Sequence, residues 1–192
     1  LKENVMDKTF LETYYKDLIS LLEPNQETMD KLILLKDKMV SVNKKGLKTL
    51  IFGNGGSAAM ASHFSVDMTK NAGIRCINYN EADLITCFSN DYGFENWVAK
   101  AVEFYGDEGD LLILISSSGN SMNMINAAKS AKKLKFSDVV TFSGFSKENP
   151  LKSSGNLNLW IDSKAYNFVE NIHQIWLLSL VDLVIGNKEY SA

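Results

Sequence analysis

The residues with the most chemistry to offer fall into two short loops and two helical pairs. Ser116, Ser117, Ser118 and Ser121 surround Gly119-Asn120. They follow the wholly apolar run Leu111–Ile115 and precede a helical stretch. Their hydroxyls and the free amides of a helix start can together hold a phosphate with no cation present. A second loop, Gly53-Asn54-Gly55-Gly56-Ser57, follows the apolar Leu50-Ile51-Phe52. Its glycines let the backbone approach a ligand with no Cβ in the way. The lysine of a nucleotide-binding P-loop is missing, and alanine at position 58 breaks the dinucleotide pattern. Each loop alone also suits a tight turn with a serine cap. Two such loops in one chain point to a small phosphorylated metabolite rather than a nucleoside triphosphate.

His63 and Asp67 stand four apart, and Glu170 and His173 three apart, so each pair shares a helix face. Such pairs can bind a metal or act as acid and base, and they can equally be structural histidines satisfied by a carboxylate. His63 and His173 are the two histidines of the chain. Trp97, Trp160 and Trp176 read as packing residues, and no spacing supports a nucleophile elbow, a zinc finger or an EF-hand.

These residues need a scaffold, and the apolar pattern supplies one. Helices are predicted over 8–23 and from Glu27 to Val42, with Pro24-Asn25 between them. Strands are predicted at Leu47–Phe52, Ile74–Ile77, Leu111–Ile115, Val139–Phe142 and Leu157–Ile161. Helices fill Ala58–Lys70, most of 81–104 with a break around Asn90–Gly93, the stretch through Leu134, and Ala165–Ile185. Unbroken apolar strands alternating with helices imply an α/β fold, a parallel sheet covered on both faces. In that architecture sites lie beyond the carboxyl ends of strands, where both loops fall.

Composition narrows the class further. The 192 residues are 45% hydrophobic and 22% charged, with a formal charge of −3, which is globular and not suited to a phosphate backbone. Lys129, Lys132, Lys133 and Lys135 read as a solvated helix face, so no nucleic acid partner is expected. Cys76 and Cys87 form no CxxC site, which fits a reducing cytoplasmic setting. No membrane-spanning run is expected, and the N-terminus shows no signal-peptide pattern.

Several strings together resemble the sugar isomerase (SIS) family, in its phosphoheptose isomerase branch, over residues 10–185. They are Gly53-Asn54-Gly55-Gly56-Ser57-Ala58-Ala59 with His63-Phe64, Ser89-Asn90-Asp91-Tyr92-Gly93-Phe94, Gly109-Asp110, Ile115-Ser116-Ser117-Ser118-Gly119-Asn120-Ser121, and Glu170-Asn171-Ile172-His173. The resemblance implies one SIS domain over residues 1–192, a three-layer sandwich on a five-stranded parallel sheet, with an N-terminal helical extension at 8–43. It implies a cytoplasmic homotetramer with active sites between subunits. It also implies conversion of sedoheptulose 7-phosphate to D-glycero-D-manno-heptose 7-phosphate through an enediol, toward lipopolysaccharide or capsule sugars. Ser116, Ser118 and Ser121 would hold phosphate with Ser117 contributing, and Asn54, Gly55, Gly56, Ser57 and Asp91 would face or shape the sugar pocket. Asp67 would be the base, Glu170 or His173 the acid, and His63, Asp67 and Glu170 the ligands of a zinc ion.

The chain departs from the branch at four places. Asp67 stands where glutamate is usual, Glu170 where glutamine is usual, and Leu178 where the last catalytic histidine is usual. Thr69-Lys70-Asn71 replaces Thr-Gly-Arg. The loss at Leu178 keeps a second reading open: a non-catalytic phosphosugar sensor or assembly factor working through a protein partner.

Overall fold

The computed structural model describes residues 2–23 and 25–190. Its elements run α1 (Lys2–Leu22), α2 (Gln26–Lys44), β1 (Thr49–Phe52), α3 (Gly56–Lys70), β2 (Cys76–Ile77), α4 (Ala82–Tyr92) and α5 (Trp97–Tyr105). They continue with β3 (Leu111–Ser116), α6 (Met122–Lys133), β4 (Asp138–Ser143), α7 (Pro150–Ser154), β5 (Leu157–Trp160) and α8 (Tyr166–Ile185). Pro24, half of the expected break between the first two helices, lies outside the described residues. Asn25 caps α2, its Oδ1 accepting from the Thr28 amide at 2.9 Å. Helix α7 was not anticipated, although Asn149 as its cap and Pro150 in its first turn are the usual signals of a helix start.

The strands form one parallel sheet in the order β2-β1-β3-β4-β5. β3 shows why the sheet is buried on both sides. Successive side chains alternate between faces, and Leu111 through Ile115 are all fully buried. Leu111, Ile113 and Ile115 join the core under α2, α3 and α8, with Leu35, Met39, Phe64, Met68 and Leu177. Leu112 and Leu114 join the opposite core under α5, α6 and α7, with Trp97, Val102, Met124 and Leu151. The chain leaves β1 toward β2 on one side and returns to β3 on the other, so the topological switch lies between β1 and β3, where an open crevice forms.

α8 corrects one expectation. It is long and apolar enough by length and composition to cross a membrane. Here it packs on the sheet, burying Val169, Ile172, His173, Trp176, Leu177, Leu180 and Val181.

At the amino ends of β1 and β3 a buried charge pair sets the register. Asp110 is fully buried. Its Oδ1 accepts from the Lys48 amide at 2.9 Å, and its Oδ2 accepts from the Asp107 amide at 2.8 Å. Lys48 Nζ lies 2.7 Å from Asp110 Oδ2 and 2.6 Å from Asp107 Oδ2. One carboxylate thus satisfies three donors, and both strands start at one level. Asp110→Ala leaves two amides unpaired and the buried Lys48 ammonium with the exposed Asp107 carboxylate as its one remaining carboxylate partner. Its expected cost is about 3–5 kcal/mol of unfolding free energy, read by denaturant titration; a loss well under 1 kcal/mol would show that the pair does not hold the strands.

Candidate functional site

β1 and β3 pair in parallel through Leu50↔Leu112 and Phe52↔Leu114, and β3 runs on to Ser116. Their following loops face each other across the switch point. Asn54 Nδ2 donates to Asn123 Oδ1 at 3.1 Å, and Asn123 Nδ2 donates to Asn54 Oδ1 at 2.8 Å. This reciprocal amide bond clamps the two loops together. Asn123 is buried, and nothing in the sequence singled it out.

Between the loops lies a cavity of about 130 Å³ lined by Asn54, Ser57, Ile115, Ser116, Ser117, Ser118, Ser121, Tyr166 and Glu170. Of the expected substrate-binding side chains, Asn54, Ser57, Ser116, Ser117, Ser118 and Ser121 therefore meet in one place. Ser116 and Ser121 hydroxyls lie 2.9 Å apart. Ser117 Oγ is buried with no hydrogen-bond partner among the described residues. Among those residues, too, the N-cap positions of α3, α6 and α8 (Gly55, Ser121 and Ala165) make no side-chain cap bond, although Asn123 Oδ1 accepts from the Met124 amide at 3.1 Å within the first turn of α6. An orphaned hydroxyl and free helix-start amides are what an oxyanion would satisfy, and the helix dipoles favour negative charge there. No lysine or arginine lines the cavity.

Glycines make the approach possible. At Gly56 a Cβ would collide with the Glu170 carboxylate, so the bare backbone lets α8 deliver that carboxylate onto the first turn of α3. Gly119 turns at φ +69, and a Cβ there would strike the buried Asn149 side chain. Asn149 Nδ2 in turn donates to Ser143 Oγ at 3.0 Å, bracing the serine loop from behind.

His63 and Asp67 lie farther along the seam between α3 and α8. His63 Nε2 is 3.1 Å from Asp67 Oδ2. Its Nδ1 accepts from Gln174 Nε2 at 3.1 Å, which leaves the ring proton on Nε2, facing the carboxylate. Gln174 carried no signal in the sequence. The Asp67 side chain is 23% exposed and that of His63 53% exposed, so both are open to a ligand. Among the described residues no three His, Cys, Asp or Glu side chains gather as a metal site needs. One chain brings two donors, His63 and Asp67, into contact, whereas the Glu170 carboxylate lies against Gly56. A catalytic zinc takes three protein ligands, so the donor set of a single chain falls short.

Two expected site residues lie elsewhere. Asp91 sits exposed near the end of α4, accepting from Asn90 Nδ2 at 2.9 Å, and does not line the cavity. His173 is fully buried rather than in the cleft. Its Nε2–H donates to the Ser143 carbonyl at 3.2 Å, its Nδ1 has no partner among the described residues, and its ring packs against Phe142 and Trp176. The acid role expected of His173 is therefore replaced by a core role. Burial pushes its pKa down to about 4, against the raising effect of the Ser143 bond.

The comparisons with known proteins agree with this geometry. Residues 13–143 match the family described as SIS domain. The chain is 37% identical over 151 residues to the phosphoheptose isomerase of Fusobacterium nucleatum, covering 76% of each. It is 31% identical over 189 residues to that of Helicobacter pylori, covering 95% of each. A phosphoheptose isomerase structure from Francisella tularensis superposes with a TM-score of 0.82 at 26% identity, over 95% of this chain and 98% of that one.

The buried imidazole has a consequence for stability. Below pH 6.5 the unfolded chain takes up a proton that folded His173 refuses until about pH 4. Stability is therefore fully present above pH 6.5 and falls as pH drops through that window, by about 3 kcal/mol from this group. Denaturant unfolding from pH 7 to pH 4 is expected to show a shallower loss for His173→Gln than for the wild type. Parallel pH profiles would place the imidazole in solvent.

Proposed function

The chain belongs to the SIS-domain family, in its phosphoheptose isomerase branch, and on that footing we propose that it interconverts a ketose and an aldose phosphate, with sedoheptulose 7-phosphate as the substrate to test. The observation that carries this reading is the serine cavity between helix starts whose N-cap residues make no side-chain bond, with the buried, unpartnered Ser117 hydroxyl belonging to one of its lining residues.

The phosphate end binds in that cavity, held by Ser116, Ser117, Ser118, Ser121 and free amides, with Asn54 and Ser57 on the facing wall. The cavity is too small for a whole sugar, so the carbon chain leaves past Glu170 and runs along the α3–α8 seam. His63 lies seven residues beyond Gly56, about 10 Å along the helix axis, comparable to an extended seven-carbon chain with its phosphate. The reacting carbons then meet the His63–Asp67 pair. Asp67 takes the proton from C1 of the open-chain ketose and leaves an enediolate with its charge on O2. Returning that proton to C2 and moving the hydroxyl proton from O1 to O2 gives the aldose. His63, its ring fixed by Gln174, donates from Nε2 and holds the Asp67 carboxylate in place. Glu170 accepts hydrogen bonds from sugar hydroxyls midway. A zinc ion, implied by the resemblance, would bind His63 and Asp67 and draw its remaining donors from outside a single chain. The proton transfer assigned to Asp67 stands independently of it.

We extend the reading to a cytoplasmic homotetramer serving lipopolysaccharide or capsule sugars. Support for assembly comes from exposed apolar residues. Val5, Met6, Phe10, Leu11, Tyr15 and Ile19 on α1 are each at least half exposed. Val66 stands exposed on α3, which carries the His63–Asp67 pair, and Ile175 and Leu183 stand exposed on α8, which packs beside it. Buried on association, these faces would border the seam. Free thiols at Cys76 and Cys87 agree with a reducing compartment.

Incubation with sedoheptulose 7-phosphate is expected to yield the aldose phosphate. Asp67→Asn should lower kcat at least about 100-fold and leave KM within about threefold. Ser118→Ala combined with Ser121→Ala should act mainly on KM, by about tenfold or more. Binding of sugar phosphate with no turnover by the wild type would favour the sensor reading that Leu178 suggests. Light scattering should give about four times the 21.4 kDa chain mass; a monomer at micromolar concentration would remove the assembly.

A further inference from the structure

The mouth of the cavity is made by a residue that neither the sequence motifs nor the phosphate chemistry calls for. Tyr166 opens α8 and lines the cavity with the four serines that follow Ile115, with Ser57 and with Glu170, which is one turn further on. It is the one aromatic residue among the lining residues and the only one of them that is exposed, at 58%. Its position is fixed from behind. Phe145 meets the Tyr166 ring edge to face, with centroids 4.8 Å apart and planes at 65°. Phe145 has φ +57, a left-handed conformation rare outside glycine, and such strain persists where the surroundings enforce it. Those surroundings tie it to the serine loop. The Phe145 amide donates to the Ser163 carbonyl at 2.8 Å, and the neighbouring Gly144 amide donates to the Ser117 carbonyl at 2.9 Å. The chain thus holds an off-pattern backbone so that one ring supports another at the rim of the site.

We propose that Tyr166 is a specificity-determining residue: its ring forms the wall against which the carbons next to the phosphate lie, its hydroxyl bonds a sugar hydroxyl, and together they select the length of the chain that leaves the cavity. Phe145 is the positioning residue behind it. The inference rests on the phosphosugar reading above and adds to it the class of discrimination, open-chain sugar phosphates sorted by carbon number. About 130 Å³ accommodates a phosphate and little more, so recognition of everything beyond the first carbons must happen at the rim. Tyr166 is the rim residue with both an apolar face and a polar tip.

The test is calorimetric, so it does not depend on turnover. Dissociation constants are measured for inorganic phosphate and for five-, six- and seven-carbon ketose phosphates, with the wild type, Tyr166→Phe, Tyr166→Ala and Phe145→Gly. Glycine suits the backbone of position 145, so that variant removes the ring without adding strain. Inorganic phosphate should bind all four proteins within about twofold, because its partners are untouched. Tyr166→Phe should weaken the preferred sugar phosphate about fivefold. Tyr166→Ala and Phe145→Gly should weaken it about tenfold and bring the affinities for the three chain lengths closer together. Unchanged ratios among the three lengths in Tyr166→Ala would overturn the proposal, as would equal loss of inorganic phosphate and sugar phosphates. Wild-type binding and turnover of sedoheptulose 7-phosphate judge the underlying reading separately. A wild type that binds none of the four ligands would overturn both.

Discussion

The parallel pairing of β1 with β3 is the constraint from which the site follows. Paired residue for residue from Thr49↔Leu111 to Phe52↔Leu114, the two strands start at one level, β3 runs on to Ser116, and the loops that follow come to face each other. The Asp110 carboxylate fixes that level from below, and the Asn54–Asn123 amide pair closes it from above. The helices after the loops then point their amino ends at one volume. A slip of one residue would turn β3's alternating apolar side chains onto the wrong cores, so the packing that buries the sheet also keeps the serines opposite the glycines.

The electrostatics of that volume are unusual for an anion site. Hydroxyls and amide dipoles face it, and no lysine or arginine does. Neutral donors arranged in advance can hold a phosphate without a buried cation, whose desolvation would be costly. One carboxylate, that of Glu170, lines the cavity, and the other stands further off. Glu170 reaches the rim only because Gly56 has no Cβ, and Asp67 stands further along the same seam beside His63. Anchoring and proton transfer are thereby separated along α3, which spares the carboxylate that abstracts a proton from close contact with the phosphate.

Much of this was legible in the sequence because the signals were local. Leu111–Ile115 is apolar without interruption after Gly109-Asp110, a pattern that suits a short strand covered on both faces. The serine loop could be assigned to an anion from its place after that strand. What the sequence did not disclose depends on where a helix meets its neighbours. Glu170 and His173 are three residues apart, about 60° around the helix, and the edge of the core runs between them. One reaches the cavity and the other is sealed behind β4. Asn123, Gln174 and Tyr166 were missed for the same reason: their partners lie on other helices or loops. On the first helix, the apolar Phe10, Leu11, Leu18 and Leu21 do not share one environment. Leu18 and Leu21 pack on the core while Phe10 and Leu11 remain exposed, because a period marks a face but not what covers it.

The most direct measurement is a crystal structure of the protein soaked with a sugar phosphate, with the phosphorus located in the difference density. The account requires the phosphate between Gly56 and the serine loop, within hydrogen-bond distance of the Ser118 and Ser121 hydroxyls, with the carbon chain leaving past Tyr166. Phosphate settled instead in the lysine-lined cleft of Lys100, Lys129 and Lys133, with the serine cavity empty, would contradict it.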